Sequence, residues 1–294
     1  MKRRFVTLDV FTNRRLAGNP LAVVLDAGGL ELAAMQAVAG EFNLSETVFV
    51  LPPQNAAHRA RLRIFTPKRE LPFAGHPTVG TAVLLACLDG DAGPRAMVLE
   101  ENIGPVACRA APAVGQGEAS FILPALPQDM GAPLADAALA AALGLAAGDI
   151  GFAAFVPSCW SAGVPFTFVP LTSLGAVARA KPDASFAKTF DGRAAYVFSG
   201  ETTERGHDFH ARMFAPHLGI AEDPATGSAA AAFVGVLARF AGLKDGEHAI
   251  AIEQGYEMGR PSVMRLGLTL KGGTLSAGSV GGEAVIIAEG TIEA

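Results

Sequence analysis

The feature that most constrains this chain is that its sequence is written twice. Gly18-Asn19-Pro20-Leu21-Ala22-Val23-Val24 matches Gly163-Val164-Pro165-Phe166-Thr167-Phe168-Val169, and Arg63-Ile64-Phe65-Thr66-Pro67 matches Arg212-Met213-Phe214-Ala215-Pro216. A fainter echo pairs Glu100…Gly104-Pro105 with Glu253…Gly259-Arg260-Pro261. Three matches in the same order, at offsets of 145, 149 and about 155 residues, indicate a duplicated domain. The period is far too long for a solenoid. At 294 residues the chain also exceeds what one hydrophobic core usually supports. The expected domains are therefore 1–128 and 129–294, parted within the Pro- and Gly-containing segment 124–134, with the last strand able to cross back to the first domain.

Each half reads as strands interrupted by two helices. His58 to Phe65 alternates Ala60, Leu62 and Ile64 with Arg59, Arg61 and Arg63, the pattern of a half-buried strand, and His207 to Phe214 is its counterpart. Helices are expected near 31–40 and 77–88, then near 173–179 and 226–240. Most connections are too short for repeated βαβ crossovers, which predicts mixed sheets and excludes a doubly wound one. The fold class is thus α+β, with two similar domains, each a curved mixed sheet or barrel around a central helix.

Composition removes several functions. Lys and Arg number 23 against 28 Asp and Glu, and the arginines are scattered, so no basic face offsets phosphate charge and no nucleic-acid partner is expected. No apolar run approaches the roughly 20 residues of a spanning helix, so no membrane partner is expected either. Met1-Lys2-Arg3-Arg4 leads into no long apolar run or small-residue cleavage site. The three cysteines, Cys87, Cys108 and Cys159, are odd in number and lack CxxC spacing, which predicts neither disulfides nor zinc and suits the cytoplasm. His207-x-x-His210 shows no third ligand nearby in sequence, so no metal site is expected. No GxGxxG or GxxxxGK[ST] motif occurs.

Chemistry concentrates at two equivalent turn-to-helix junctions, Leu71-Pro72-Phe73-Ala74-Gly75-His76-Pro77-Thr78 and Glu222-Asp223-Pro224-Ala225-Thr226-Gly227-Ser228. Free N–H groups at a helix start, on the positive end of its dipole, suit a small carboxylate. Taken singly, His76 fits packing as well as function, Asp223 reads as an N-cap, and Ser228 as a neutral surface position. Glu46, in Ser45-Glu46-Thr47, enters an apolar strand and by itself reads as a capping or surface carboxylate.

Taken together, Asp9-Val10-Phe11-Thr12-Asn13, Gly18-Asn19-Pro20-Leu21-Ala22-Val23, Ser45-Glu46-Thr47, Phe73-Ala74-Gly75-His76-Pro77-Thr78 and Glu222-Asp223-Pro224-Ala225-Thr226-Gly227-Ser228-Ala229 resemble the PhzF family of phenazine-biosynthesis isomerases, along the whole chain and in the expected order. The resemblance implies the diaminopimelate epimerase-like fold, with the active site between the domains and a homodimer as the assembly. It implies a cofactor-free isomerisation that moves a proton between carbons of a small unsaturated or cyclic carboxylate, without metal. Glu46 would be the acid/base, supported by His76 and Asp223, with Gly75, Thr78, Gly227 and Ser228 binding substrate. Diaminopimelate epimerases and proline racemases use two thiols, one from each half. Here the corresponding positions hold Ala74–Gly75 and Asp223, so a single base and a one-face proton shift fit better than inversion. A thiol-independent epimerase and a non-catalytic binding protein of the same fold remain the rivals.

Overall fold

The computed structural model describes residues 1–90, 93–131 and 135–294. Two compact units result: Met1–Pro124 with Gly281–Ala294, and Ala125–Val280. The first unit runs β1 (Lys2–Val10), β2 (Asn19–Val24), α1 (Leu32–Phe42), β3 (Glu46–Leu51), β4 (Ala60–Phe65), the short β5 (Glu70–Leu71), α2 (Gly75–Asp89), β6 (Arg95–Glu101), β7 (Gly104–Ala113) and β8 (Gln116–Ile122). The second runs β9 (Gln128–Asp129), α3 (Asp136–Ala142), β10 (Ser158–Ser161), β11 (Pro165–Pro170), α4 (Leu174–Arg179), α5 (Phe186–Thr189), β12 (Ala194–Ser199), β13 (Phe209–Ala215), β14 (Ile220–Asp223), α6 (Gly227–Phe240), β15 (Gly246–Gln254) and β16 (Ser262–Lys271). The last strand, β17 (Thr274–Glu293), starts in the second unit and ends in the first.

In the first unit the strands close into a barrel. β1 pairs antiparallel with β2, β2 runs parallel to β3, β3 antiparallel to β4, and β4 parallel to β6. β6–β7–β8 is an antiparallel meander, β8 pairs with β17, and β17 returns to β1. The second unit repeats the pattern: β10–β11 antiparallel, β11–β12 parallel, β12–β13 antiparallel, β13–β15 parallel and β15–β16 antiparallel. Even the side strands agree, with Ile64 opposite Leu71 in β4–β5 and Met213 opposite Asp223 in β13–β14. The duplicated segments thus became β2 with β11 and β4 with β13. The sheets are mixed, as expected, but each unit does contain two helical crossovers between parallel strands. The other connections are mostly hairpins.

The barrel encloses α2, an apolar helix with no polar stripe. A helix that is apolar all round is stable only when covered on every side. Twelve of its residues, Gly75 through Ala86, are buried. Gly80 marks the tightest approach: a Cβ there would lie 2.6 Å from Val10 Cγ2 and 2.7 Å from Leu21 Cδ2. α6 is the counterpart, with its Ala229–Leu237 stretch buried. Outside each sheet a second core forms. In the first unit Met35, Val38 and Ala39 of α1 cover Val24, Phe49 and Phe65. In the second unit Leu139, Val177, Phe186 and Phe190 cover Val169, Val197 and Phe214. β4 keeps the expected alternation of buried and half-buried residues, whereas β13 is buried along its whole length. The short helices α3 and α5, which periodicity does not reveal in so Ala-rich a sequence, belong to that second core. Of the expected linker 124–134, Gln128–Asp129 form β9 against β10, and 132–134 lie outside the described residues.

The repeat also retains its polar staples. Arg63 grips Glu70 in a bidentate pair at 2.8 and 2.7 Å and lies over Phe65, as Arg212 grips Glu222 at 2.8 Å twice and lies over Phe214. Glu100 accepts from the backbone N–H groups of Gln54 and Asn55 and pairs with His58; Glu253 accepts from Thr203 and Glu204 and pairs with His207. The third sequence echo is therefore a carboxylate that pins the loop before β4 or β13. In the second unit the device has grown. His210, buried and unremarkable as a sequence motif, bonds Glu253 through Nδ1 (2.6 Å) and Glu257 through Nε2 (3.0 Å). Burial works against its charge, but the hydrogen bonds and charges of these two carboxylates prevail and push it up to about 9. Burial likewise opposes the charge on Glu253, and its partners hold it down at about 2.

The His210–Glu253 pair sets a test of this staple. Glu253→Gln leaves a buried imidazolium short of its counter-charge, a class of change that costs about 3–5 kcal/mol. Raised His210 stabilises fully below 6.5 and loses that effect as pH rises through about 9; lowered Glu253 stabilises above 4.5 and loses it as pH falls through about 2. Urea unfolding of wild type and variant should therefore differ most between pH 4.5 and 6.5, and the gap should narrow on either side.

Candidate active site

The residues singled out by sequence gather at two helix N-termini, one in each unit. In the first, α2 starts after Ala74, whose extended backbone is the N-cap but whose side chain caps nothing. Alanine is a poor N-cap, costing about 1 kcal/mol against Ser or Asp. Pro77 has no N–H, and the Thr78 N–H already bonds the Ala74 carbonyl at 3.1 Å. The N–H groups without an acceptor inside the helix are thus those of Gly75 and His76. Thr78, expected beside the substrate, is turned inward: its hydroxyl lies 2.8 Å from the Ala74 carbonyl and 2.7 Å from Glu101 Oε1, and it is fully buried. Helical geometry dictates this, since a threonine hydroxyl readily reaches back to the carbonyl four residues earlier.

Glu46 opens β3, in parallel register with Leu21 of β2, and its Oε2 stands 3.3 Å from His76 Nε2. His76 is 5% exposed. Its ring also bonds the backbone of Pro20, which offers only a carbonyl, so the ring must donate there. With Nε2 facing Glu46, that donor is Nδ1. Burial holds the imidazole far below its usual range, at about 3, and the Pro20 bond offsets this only in part. His76 is therefore neutral at ordinary pH, with the Nε2 lone pair directed at Glu46. With a neutral imidazole the contact is not an ion pair.

In the second unit Asp223 ends β14, three residues before Thr226, the N-cap of α6. The N-cap position itself is Thr226, whose side chain makes no capping hydrogen bond; its hydroxyl donates to the Asp223 carboxylate at 2.6 Å. Gln254 fastens the same turn, donating to the Asp223 carbonyl at 2.7 Å and to the Thr226 hydroxyl at 3.1 Å. Gly255 follows with φ +81°, where a Cβ would stand 2.6 Å from the Pro224 carbonyl oxygen, so only glycine fits behind this turn. Gly227 and the half-buried Ser228 are the first two helical residues, and their N–H groups have no acceptor within α6. The neighbouring Glu222 is committed to Arg212, which also donates to the Val177, Ala178 and Ala180 carbonyls at the end of α4. Sequence reading placed Thr226 at the helix start without its partners, and passed over Glu101 and Gln254. The last two follow directly on Glu100 and Glu253, and strand alternation alone would have turned them toward the central helices.

A family model described as phenazine biosynthesis-like protein matches residues 8–290. The chain belongs to the PhzC-PhzF family. It is 50% identical over 297 residues to an uncharacterized isomerase of Mesorhizobium japonicum, covering 99% of this chain and 98% of that one. It is 36% identical over 291 residues to the trans-2,3-dihydro-3-hydroxyanthranilate isomerase of Pseudomonas chlororaphis, covering 98% of each. Among solved structures, a Bacillus anthracis phenazine biosynthesis protein of the PhzF family superposes with a TM-score of 0.90 over all of both chains, at 26% identity. The chain is accordingly a PhzF-type isomerase acting on a small molecule. No helix among the described residues is long and apolar enough to cross a membrane.

None of the three thiols lies in the turns that open α2 and α6. Cys87 sits near the far end of α2, facing the Ala113 and Gln116 carbonyls, while Cys108 and Cys159 are buried in β7 and β10. The state of His76 is directly measurable. Nitrogen-detected NMR should show a neutral imidazole protonated at Nδ1 from pH 9 down to about 4, with titration only towards about 3. An imidazole titrating near 6.5 would contradict the geometry described here.

Proposed function

We propose that this protein is a cofactor-independent isomerase in which Glu46 moves a proton between two carbons of a small unsaturated or cyclic carboxylate. The observation that carries the reading is the Glu46–His76 contact at 3.3 Å, with a neutral His76 offering a lone pair. An ionised Glu46 meets that lone pair with no proton between them. Once it has taken a proton from carbon, Oε2–H can donate to Nε2, and the proton is held in place for return to another carbon. The charge that develops on the carbon skeleton spreads towards the carboxylate, where the N–H groups of Gly227 and Ser228 and the Ser228 hydroxyl bind. Fixed donors of this kind usually supply the largest stabilisation of an enolate-like transition state. The Gly75 N–H, His76 and Asp223 hydrogen-bond the remaining polar groups. Thr78, with its hydroxyl engaged at Glu101, anchors the helix start in this scheme.

The relatives' chemistry suggests the first compound to try, trans-2,3-dihydro-3-hydroxyanthranilate. Solvent-deuterium incorporation during its turnover is the assay. Glu46→Gln keeps the shape but removes the base, and exchange should fall by at least the roughly 10²–10⁴-fold of general acid–base catalysis, with the circular dichroism spectrum unchanged. Thiol-blocking reagents should leave wild-type exchange intact. Wild-type rates in Glu46→Gln, or abolition by blocking Cys87, would overturn the single-carboxylate mechanism.

A further inference from the structure

Glu100 and Glu253 occupy equivalent places in the two units, so the residues that follow them, Glu101 and Gln254, are equivalent as well. Both close a strand, β6 or β15, and both point at the start of the central helix. Glu101 is 7% exposed and Gln254 fully buried. Both meet the N-cap N–H and a threonine hydroxyl near the helix start, the hydroxyl belonging to the N-cap Thr226 in one unit and to Thr78, four residues past the N-cap Ala74, in the other. The N-cap N–H of Thr226 is directed to Gln254 Oε1 at 3.4 Å, and the N-cap N–H of Ala74 faces the Glu101 carboxyl. The Gln254 amide donates to the Thr226 hydroxyl, and Glu101 Oε1 lies 2.7 Å from the Thr78 hydroxyl. One member of the pair is an amide that cannot ionise, which raises the question of what the other is.

The Thr78 hydroxyl answers it. It has one proton and two oxygen neighbours within hydrogen-bond distance, the Ala74 carbonyl and Glu101 Oε1. A carbonyl can only accept, so the hydroxyl proton satisfies Ala74 when Glu101 supplies a proton of its own. With Glu101 ionised, one of the two short O···O contacts holds no proton. We propose that Glu101 and Gln254 are matched positioning residues behind the two helix starts, and that Glu101 acts as a neutral carboxylic acid, the isostere of the Gln254 amide. Through Ala74 and Thr78 it sets the position of His76; through Thr226 and the Asp223 carbonyl, Gln254 sets Asp223 and the Gly227–Ser228 donors. The environment agrees. Burial outweighs the Thr78 and Ala74 hydrogen bonds and pushes Glu101 up to about 8. The titratable group facing it from β7 is Cys108, itself pushed well above the usual thiol range, mainly by burial and further by Glu101.

The role in turnover rests on the isomerase reading above; the protonation state does not. Infrared difference spectra of wild type and Glu101→Gln in deuterated buffer at pH 6 should show a protonated carboxyl C=O band that the variant lacks. That band should fade as pH rises through about 8. Because the folded protein retains a proton that the unfolded chain releases near 4.5, Glu101 makes wild-type stability fall between pH 4.5 and about 8. Glu101→Gln should flatten that part of the melting profile, and Gln254→Glu should steepen it. In deuterium exchange with trans-2,3-dihydro-3-hydroxyanthranilate, Glu101→Gln should keep kcat within about twofold, while Glu101→Leu lowers kcat at least tenfold with little change in KM. Absence of the band, or a Glu101→Gln variant as damaged as Glu101→Leu, overturns the proposal. A wild type that shows the band and the melting profile but exchanges no deuterium overturns the isomerase reading and leaves the neutral acid standing.

Discussion

Everything polar in this protein follows from wrapping an apolar helix on all sides by a sheet. α2 and α6 bring no hydrophilic face to water, so their stability comes from the strands around them, and their sides are closed to chemistry. What remains is the N-terminal end, where N–H groups lack partners inside the helix. Serine or aspartate at the N-cap would satisfy such groups from within. Here Ala74 has no capping group and Thr226 turns its hydroxyl to Asp223. The helix starts are thus supported by Glu101 and Gln254.

The duplication shows which parts of that design are scaffold and which are chemistry. Arg63–Glu70 and Arg212–Glu222 are the same staple, as are His58–Glu100 and His207–Glu253. These pairs hold loops and side strands, and both units need them. At the helix starts the two copies part company. His76 corresponds to Ser228, Leu71 to Asp223, and Glu46, at the head of β3, to Ala194 at the head of β12. A mechanism with one base from each half would keep the copies alike at these positions. Divergence there, within a retained frame, is consistent with the proposed single acid/base, which needs no second copy of Glu46.

The polar pairs also show how little a residue's type says about its state. His76 and His210 are both buried, yet burial leaves His76 neutral whereas two carboxylates hold His210 charged. Glu253 and Glu101 diverge in the opposite sense, one held at about 2 by histidines and backbone N–H groups, the other pushed to about 8 by burial that its two hydrogen bonds do not offset. Desolvation acts on all four, and the partners decide the sign.

The sequence by itself determined the architecture, because periodicity and repetition are properties of the chain. Alternation in β4, the apolar helix near 77–88 and three ordered echoes specify two copies of a mixed sheet around a helix. The motifs of the two turns were also legible, since Gly, Pro, His and Asp at a helix entrance have few structural reasons to cluster. Only the tertiary structure decided what each of those residues does. Nothing local brings Glu101 to the Thr78 hydroxyl, or Gln254 to the turn between Asp223 and Thr226. Nor does anything local draw Glu253 between His207 and His210 from more than forty residues away. Such partnerships are set by which strands become neighbours, and burial then fixes protonation. Both are non-local, so a chain read in order contains the residues but not their charge.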